Sequence, residues 1–324
     1  MKALTYTRYG APDVVEISDL PRPEAGPGEV LIRVHASAVN TADWRLRAAA
    51  FPGIMAIPGR LMFGLTRPRN TRLGSEFAGI VEAVGAQVTR FAPGDRVYGM
   101  QPNGGASAEV IAVAEDSALA PMPQALGFDE AAALPFGGLC ALVFLQDCAQ
   151  LSEGQHVLIL GASGGVGSYA VQIAKALGAE VTGVSGPDSQ NFVTGLGADR
   201  VVNYRDTGLA DLPGSYDLVF DTVGAARPSE AFGLLKPGGL FLPLNFGMPE
   251  IGAALKNPLR DRKIRLEVNP DRAEDLVRLT ALVEAGKLRP VIDTRFPLAE
   301  ARAAHALVET RHRQGSVILT MPGV

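Results

Sequence analysis

One run of small residues could do chemistry that few other patterns do: His156–Gly167, HVLILGASGGVG. The apolar segment His156–Leu160 predicts a strand buried on both faces. The spacing beyond it predicts a helix over Ser168–Leu177, stopped by Gly178. Between them, Ala162-Ser163-Gly164-Gly165-Val166-Gly167 matches the dinucleotide fingerprint with alanine in the first glycine position. On that reading Ala162 permits the tight turn, Gly164 lets the backbone approach a pyrophosphate, and Gly167 lets helix and strand pack closely. Ser163, Gly165 and Val166 complete the loop, and the helix start supplies N–H groups and a positive dipole end. The bland alternative is a Gly-rich turn in an unrelated α/β fold. Against it stands the order strand, loop, helix and second strand (Glu180–Val184), all in place.

The second strand bears on the choice of cofactor. Sheets selective for NADH place Asp or Glu at its end to hold the ribose 2′-OH. Here it ends Val184-Ser185-Gly186, which removes repulsion against a 2′-phosphate and favours NADPH, with NADH as the alternative. Asp188 is a small argument the other way. Thr222-Val223-Gly224 and Asn245-Phe246 follow two later strands, where open α/β sheets bind ligands. Phe246 would cover a nicotinamide face or simply pack.

The elements that would position these residues divide the chain. Up to about residue 120, period-two patterns and prolines predict a β-rich region. It contains strands at Val30–Val34 and Phe77–Val84 and a long exposed loop at Arg60–Leu73. From Pro121–Gly127 onward, strands alternate with helices: Arg200–Val202, Leu218–Phe220, Gly239–Leu244 and Lys263–Val268 follow the first two. That order predicts a doubly wound parallel sheet. The tail predicts a helix (Arg272–Ala285), a strand (Val291–Phe296), a helix (Leu298–His312) and a last strand (Ser316–Thr320).

The 324 residues suffice for two cores. A net charge of −4 and the absence of a basic run give no reason to expect a nucleic-acid partner. Cys140 and Cys148, the only cysteines, lie in the apolar stretch Ala131–Ala149, so a reducing compartment is expected rather than a disulfide framework. No signal-peptide pattern and no membrane-length apolar run is seen. A cytoplasmic protein with no membrane partner is the expectation.

Further stretches carry a resemblance: Ala38–Asp43 (AVNTAD), Leu73–Gly85 (LGSEFAGIVEAVG), Pro93–Gly99 (PGDRVYG), Gly104–Val110 (GGASAEV), Ala131–Leu142, Leu196–Asp199, Asp217–Gly224, Leu235–Gly239 and Arg311–Leu319. With the glycine loop, they make the chain resemble the zinc-independent quinone oxidoreductases of the medium-chain dehydrogenase/reductase superfamily. The resemblance implies an α/β architecture: a GroES-like β-rich catalytic domain (1–122, completed by 269–324) and a Rossmann NAD(P)-binding domain with a doubly wound parallel sheet (123–268). Zinc-dependent relatives carry a cysteine near Asn40–Asp43 and a histidine before the glutamate of their GHE motif. This chain has no cysteine there, and Ser75 precedes Glu76, so no metal is expected.

The same resemblance places Asn40 and Asp43 at the active cleft. Asn40 would hydrogen-bond the acceptor carbonyl or the nicotinamide ribose, and Asp43 would hold neighbouring backbone or Arg45; both residue types also simply make turns. Cys140 stands where relatives have a threonine touching the nicotinamide end. Tyr204 and Arg311 match positions that contact the adenosine 2′-phosphate, for which a guanidinium is suited. The implied activity is NADPH-dependent reduction of a quinone or α,β-unsaturated carbonyl by a homodimer paired at Lys263–Val268. The rivals are an enoyl-thioester or aldehyde reductase on the same scaffold, and a low-turnover NADPH-binding sensor or structural protein. A short-chain-dehydrogenase mechanism is unavailable, because no tyrosine has lysine four residues on.

Overall fold

The computed structural model describes residues 1–51, 53–212 and 214–323. They form two compact units: Met1–Phe51 with Ala56–Leu139 and Asp271–Val324, and Pro52–Met55 with Cys140–Pro270.

The first unit is built around one long strand, Glu29–Val39. Val30, Ile32 and Val34 share its buried face, each fully enclosed, and each such burial is worth ~1.5–3 kcal/mol. The strand pairs antiparallel with Glu76–Val84, Val110–Ala114 and the C-terminal strand Ser316–Thr320. Ile292–Pro297 adds parallel to that last strand, and Arg96–Met100 and Leu119–Pro121 extend the sheet the other way. While Lys2–Thr5 pairs apart from it with Glu16–Asp19, the C-terminal strands are thus built into the sheet of the N-terminal region. Against it packs the helix Ala301–Thr310, which buries Ala301, Ala304, His305 and Val308, the spacing of a single helical stripe. A second helix, Thr41–Ala48, is tied to it by a fully buried arginine: Arg47 donates to Glu309 Oε2 at 2.8 Å and to the Gly10 carbonyl.

The second unit holds a six-stranded sheet, every pair parallel. Its order is Arg200–Asn203, Glu180–Ser185, His156–Leu160, Tyr216–Asp221, Leu235–Pro243, Lys263–Ile264. Sequence order reverses at His156–Leu160, and such a switch point opens a crevice at the strands' carboxyl ends. The helix Gly167–Ala176 starts there.

Three local features depart from the sequence reading. Arg60–Leu73 is not all loop: Ala56–Phe63 is helical. Phe63 stacks on Phe51 (centroids 5.6 Å apart) and Gly59 lies directly against the Phe51 ring, which gives the segment a buried stripe. Lys263–Val268 contributes only Lys263–Ile264 as strand. Beyond it one further bond forms, Arg265 N–H to the Phe241 carbonyl at 3.0 Å. The tight turn of the glycine loop belongs to Gly161, at φ +78°, rather than to Ala162. A Cβ on Gly161 would lie 2.4 Å from Val223 Cγ1, whereas Ala162 is buried with its N–H bonded to the Val184 carbonyl.

Gly167 is where helix and strand meet most closely. A Cβ there would sit 2.1 Å from the Gly161 oxygen and 2.8 Å from Ala162 Cα, both backbone atoms. Gly167→Ala is therefore expected to lower unfolding stability by ~1–3 kcal/mol, the usual cost of overpacking, measured by denaturant titration. An unchanged midpoint would show that the contact yields easily.

Candidate functional site

The carboxyl edge of the parallel sheet gathers eleven of the residues read as cofactor-binding. Ser163, Gly164, Gly165, Val166 and Gly167 follow His156–Leu160 and lead into the helix Gly167–Ala176. Among the described residues, the N–H groups of Ser163, Gly165 and Val166 find no protein acceptor. A Cβ on Gly164 would meet only the Gly161 oxygen, at 3.4 Å, so nothing crowds the backbone there. Unpaired N–H groups beside a helix start form a cradle for a phosphate.

Neighbouring loops are held in place around it. Thr222 Oγ1 donates to the Leu160 carbonyl at 2.8 Å, and Val223 lies against Gly161. Asp221, fully buried, accepts from the N–H groups of Val223, Gly224 and Ala226 at 3.0, 2.8 and 2.9 Å. Its burial is sustained by those three donors. Asn245 lies near Gly224, and the Phe246 carbonyl lies near Gly53. At the end of Glu180–Ser185, Ser185 is buried and Tyr204, half exposed, places its ring beside Gly186.

Asn40 and Asp43 stand in the other unit, inside a buried polar network. The register pairs Ala38 with Glu76, which sets Asn40, two residues on, beside Ser75. Asn40 Nδ2 donates to Ser75 Oγ at 2.8 Å and to Glu76 Oε2 at 2.7 Å. Its Oδ1 accepts from the N–H groups of Ala42 and Asp43 at 2.8 and 3.1 Å, capping the helix Thr41–Ala48, and Asp43 Oδ2 accepts from Asn40 N–H at 3.0 Å. Every donor and acceptor of the Asn40 amide is thereby engaged, with the residue 5% exposed. Glu76, 2% exposed, takes its second bond from the Phe136 N–H at 2.8 Å, at the start of the helix Pro135–Leu142. Arg313 Nη2 reaches Thr41 Oγ1 at 3.1 Å, and its charge acts on both carboxyls.

Burial pushes Asp43 up to about 7, opposed by hydrogen bonds from Asn40 and Ser75 and by Arg313. Burial likewise pushes Glu76 up to about 8, opposed by Asn40, Phe136 N–H and Arg313 and assisted by the Asp43 charge. The pair can hold a proton near neutral pH, yet both carboxyls are enclosed. Asp43 holds backbone at the helix start rather than Arg45, whose charge lies near Arg311. Arg311, at φ +60°, ends the helix Ala301–Thr310, so it belongs to the first unit whereas Tyr204 belongs to the second. Cys140 is buried in the helix Pro135–Leu142.

Sequence reasoning did not single out Gly161, Asp221, Ser75, Glu76 or Arg313 as working parts. Asp221 was legible as a carboxylate closing an apolar strand. In the sequence Ser75 stands out only for taking the place of the zinc-ligating histidine, and Glu76 only as the glutamate that follows it. Among the described residues, no group of three or more His, Cys, Asp or Glu side chains is placed to hold a metal ion.

Residues 26–147 match the alcohol dehydrogenase GroES-like domain model, and residues 196–319 match the zinc-binding dehydrogenase model. A quinone oxidoreductase of Pseudomonas aeruginosa is 34% identical over 98% of this chain and 99% of its own. The chain belongs to the quinone oxidoreductase-like family of the medium-chain dehydrogenase/reductase superfamily. It is an oxidoreductase of that superfamily. An NADPH-dependent alkenal/one oxidoreductase of Arabidopsis thaliana is 30% identical over 98% of this chain and 79% of its own. The solved quinone oxidoreductase of Coxiella burnetii superposes with a TM-score of 0.88 at 29% identity, over 99% of both chains.

Two outcomes follow for the buried network. Asn40→Ala removes a helix cap and leaves a buried carboxyl short of a donor, and should cost about 2–4 kcal/mol in denaturant unfolding. The raised carboxyls have a definite sign: the folded chain keeps protons that the unfolded chain, with ordinary values of 3.8 and 4.5, has released. Their contribution to stability therefore falls as pH rises from the ordinary carboxylate range to about 8. Glu76→Gln should flatten that slope. Parallel pH profiles for the two proteins would refute the assignment.

Proposed function

We propose that the protein reduces quinones or α,β-unsaturated carbonyl compounds with NADPH and without a catalytic metal. The observation that carries the reading is the phosphate cradle: Ser163, Gly165 and Val166 offer unpaired N–H groups beside an uncrowded Gly164. The loop's fit to a dinucleotide pyrophosphate rests on that geometry. When bound, the nicotinamide supplies the hydride. Ser163–Gly167 would hold the pyrophosphate, Thr222, Val223, Asn245 and Phe246 would line the nicotinamide half, and Cys140 would offer a weak donor near its carboxamide. Ser185 puts no carboxylate where a 2′-phosphate would sit, and Tyr204 beside Gly186 offers a hydroxyl and a ring face. Arg311 is the proposed cation for that phosphate, which favours NADPH over NADH. In the names of the relatives, support comes from the NADPH-dependent alkenal/one oxidoreductase and the quinone oxidoreductases.

Asn40 and Asp43 act here as positioning residues, since their polar atoms are committed to Ser75, Glu76 and the helix start. Direct donation by Asn40 to an enolate-like oxygen would take a hydrogen from its bond to Glu76 or from its bond to Ser75. Backbone N–H groups, which need not be withdrawn from other partners, are better suited to that charge. Residues 1–122 and 269–324 would form the catalytic domain and 123–268 the cofactor domain. A cytoplasmic homodimer paired at the open sheet edge, Lys263–Ile264, completes the proposal, with a small-molecule acceptor and no nucleic-acid partner.

The test is direct. Chelator-treated protein is mixed with NADPH or NADH and a panel of quinones, enones and an enoyl thioester, and loss of reduced-cofactor absorbance is followed. Turnover with NADPH on a quinone or enone is expected. Gly164→Ala should lower kcat/KM for NADPH about tenfold or more, a change of ~1.4 kcal/mol, with an unchanged unfolding midpoint. Activity that appears only after zinc is restored would overturn the metal-free reading, and turnover of the thioester alone would overturn the acceptor class.

A further inference from the structure

The helix Ala56–Phe63 has two faces. Gly59 and Phe63 are turned to Phe51. On a 3.6-residue repeat, Ile57 and Leu61 fall on the opposite side. They are 73% and 58% exposed, and Met62 and Leu65 beside them are 58% and 62% exposed. Four large aliphatic side chains in nine residues is more than the scattered surface leucine of an ordinary protein.

The surrounding charge is one-sided. Residues 44–75 contain six arginines and no aspartate or glutamate, in a chain of net charge −4. Arg67, Arg69 and Arg72 are exposed and Arg60 is half-buried. Among the described residues none of these four forms an ion pair. The cations stand among the apolar groups: Arg60 Nη1 donates to the Leu65 carbonyl at 3.1 Å, and Arg69 Nη1 donates to the Met62 carbonyl at 3.2 Å. The segment is also firmly seated. Tyr9 donates to the Gly64 carbonyl at 2.8 Å, its ring lies under the Arg60 guanidinium, and Arg69 N–H bonds the Phe63 carbonyl at 2.8 Å.

We propose that this face docks on a bilayer surface carrying anionic phospholipids. Aliphatic side chains interleaved with guanidinium groups suit the boundary between acyl chains and phosphates, where the former leave water and the latter meet negative charge. Nucleic acid would use the arginines and leave the aliphatic residues exposed. Among the described residues no helix is long and apolar enough to cross a membrane. The sequence-based expectation of no membrane partner rested on that kind of evidence, which concerns spanning segments and not a face lying on headgroups. The docking stands independently of the reaction catalysed.

Vesicle sedimentation with the purified full-length protein tests it. At low salt, the protein should sediment with phosphatidylcholine vesicles containing phosphatidylglycerol and stay in solution with phosphatidylcholine alone. Added salt should release it. Leu61→Glu should abolish binding. The double variant Arg67→Ala, Arg69→Ala should weaken it about thirtyfold, the loss expected for two cations at an anionic leaflet. Thermal midpoints check that the variants are folded, and Leu65→Ser repeats the test if Leu61→Glu lowers its midpoint. Failure to bind the anionic vesicles, or binding indifferent to all the variants, would overturn the proposal. So would a concentration-dependent rise in mass that Leu61→Glu abolishes in a protein that ignores vesicles; that result would give the face to a second copy of the chain.

Discussion

A carboxylate removed from water must be met by donors or surrender its charge. Glu76 is almost wholly enclosed, and much of the first unit's local order follows from meeting it. One oxygen takes the Asn40 amide and the other takes the Phe136 backbone N–H. The first bond orients the Asn40 side chain so that its carbonyl oxygen caps the helix Thr41–Ala48. The second places the start of the helix Pro135–Leu142. Ser75 and Arg313 occupy the remaining polar positions. Because Asn40 also serves Ser75 and the helix start, the network resists piecemeal change: removing that residue leaves others buried without a mate.

The second unit relies on the opposite resource, the absence of side chains. Gly161 bends the chain at a positive φ where Val223 and Thr222 leave no room for a Cβ, and Gly167 lets the helix approach the turn to within backbone contact. Gly164 differs from both, since little surrounds it. Two of the glycines thus serve packing and one leaves backbone uncovered. Asp221 stabilises the adjoining turn by accepting three N–H groups, so the loop after Tyr216–Asp221 is held from the sheet side.

The glycine loop, the parallel sheet and the β-rich first region were legible in the sequence because their signals are local. A buried strand, a turn that only small residues tolerate and a helix lie within about twenty residues, and their periodicities name them. The alternation Val30, Ile32, Val34 likewise announced its buried face. Local signals misjudged three places where a neighbour decides. Lys263–Val268 has strand-like composition, yet it occupies a sheet edge and keeps only two strand residues. Arg60–Phe63, read as the start of a loop, is the end of a helix once Phe51 is placed against it. Ala162 occupies the motif's first position, but the bend falls at Gly161 because Val223, far along the chain, fills the space above it.

By itself, then, the sequence determined which segments become strands and helices, where the phosphate-binding turn lies, and the lack of a carboxylate at Ser185. Tertiary structure decided what the polar residues do. Asn40 joins Ser75, Glu76 and, through Thr41, Arg313, residues separated by 35 to 273 positions. No spacing rule connects them. An asparagine after a strand is equally a turn former, a ligand contact or a cap, and its function is chosen by which groups the antiparallel register of Glu29–Val39 and Glu76–Val84 brings within hydrogen-bonding reach. Burial, which pushes the carboxyls upward and makes every unmet donor costly, exists only once the sheet has closed over them.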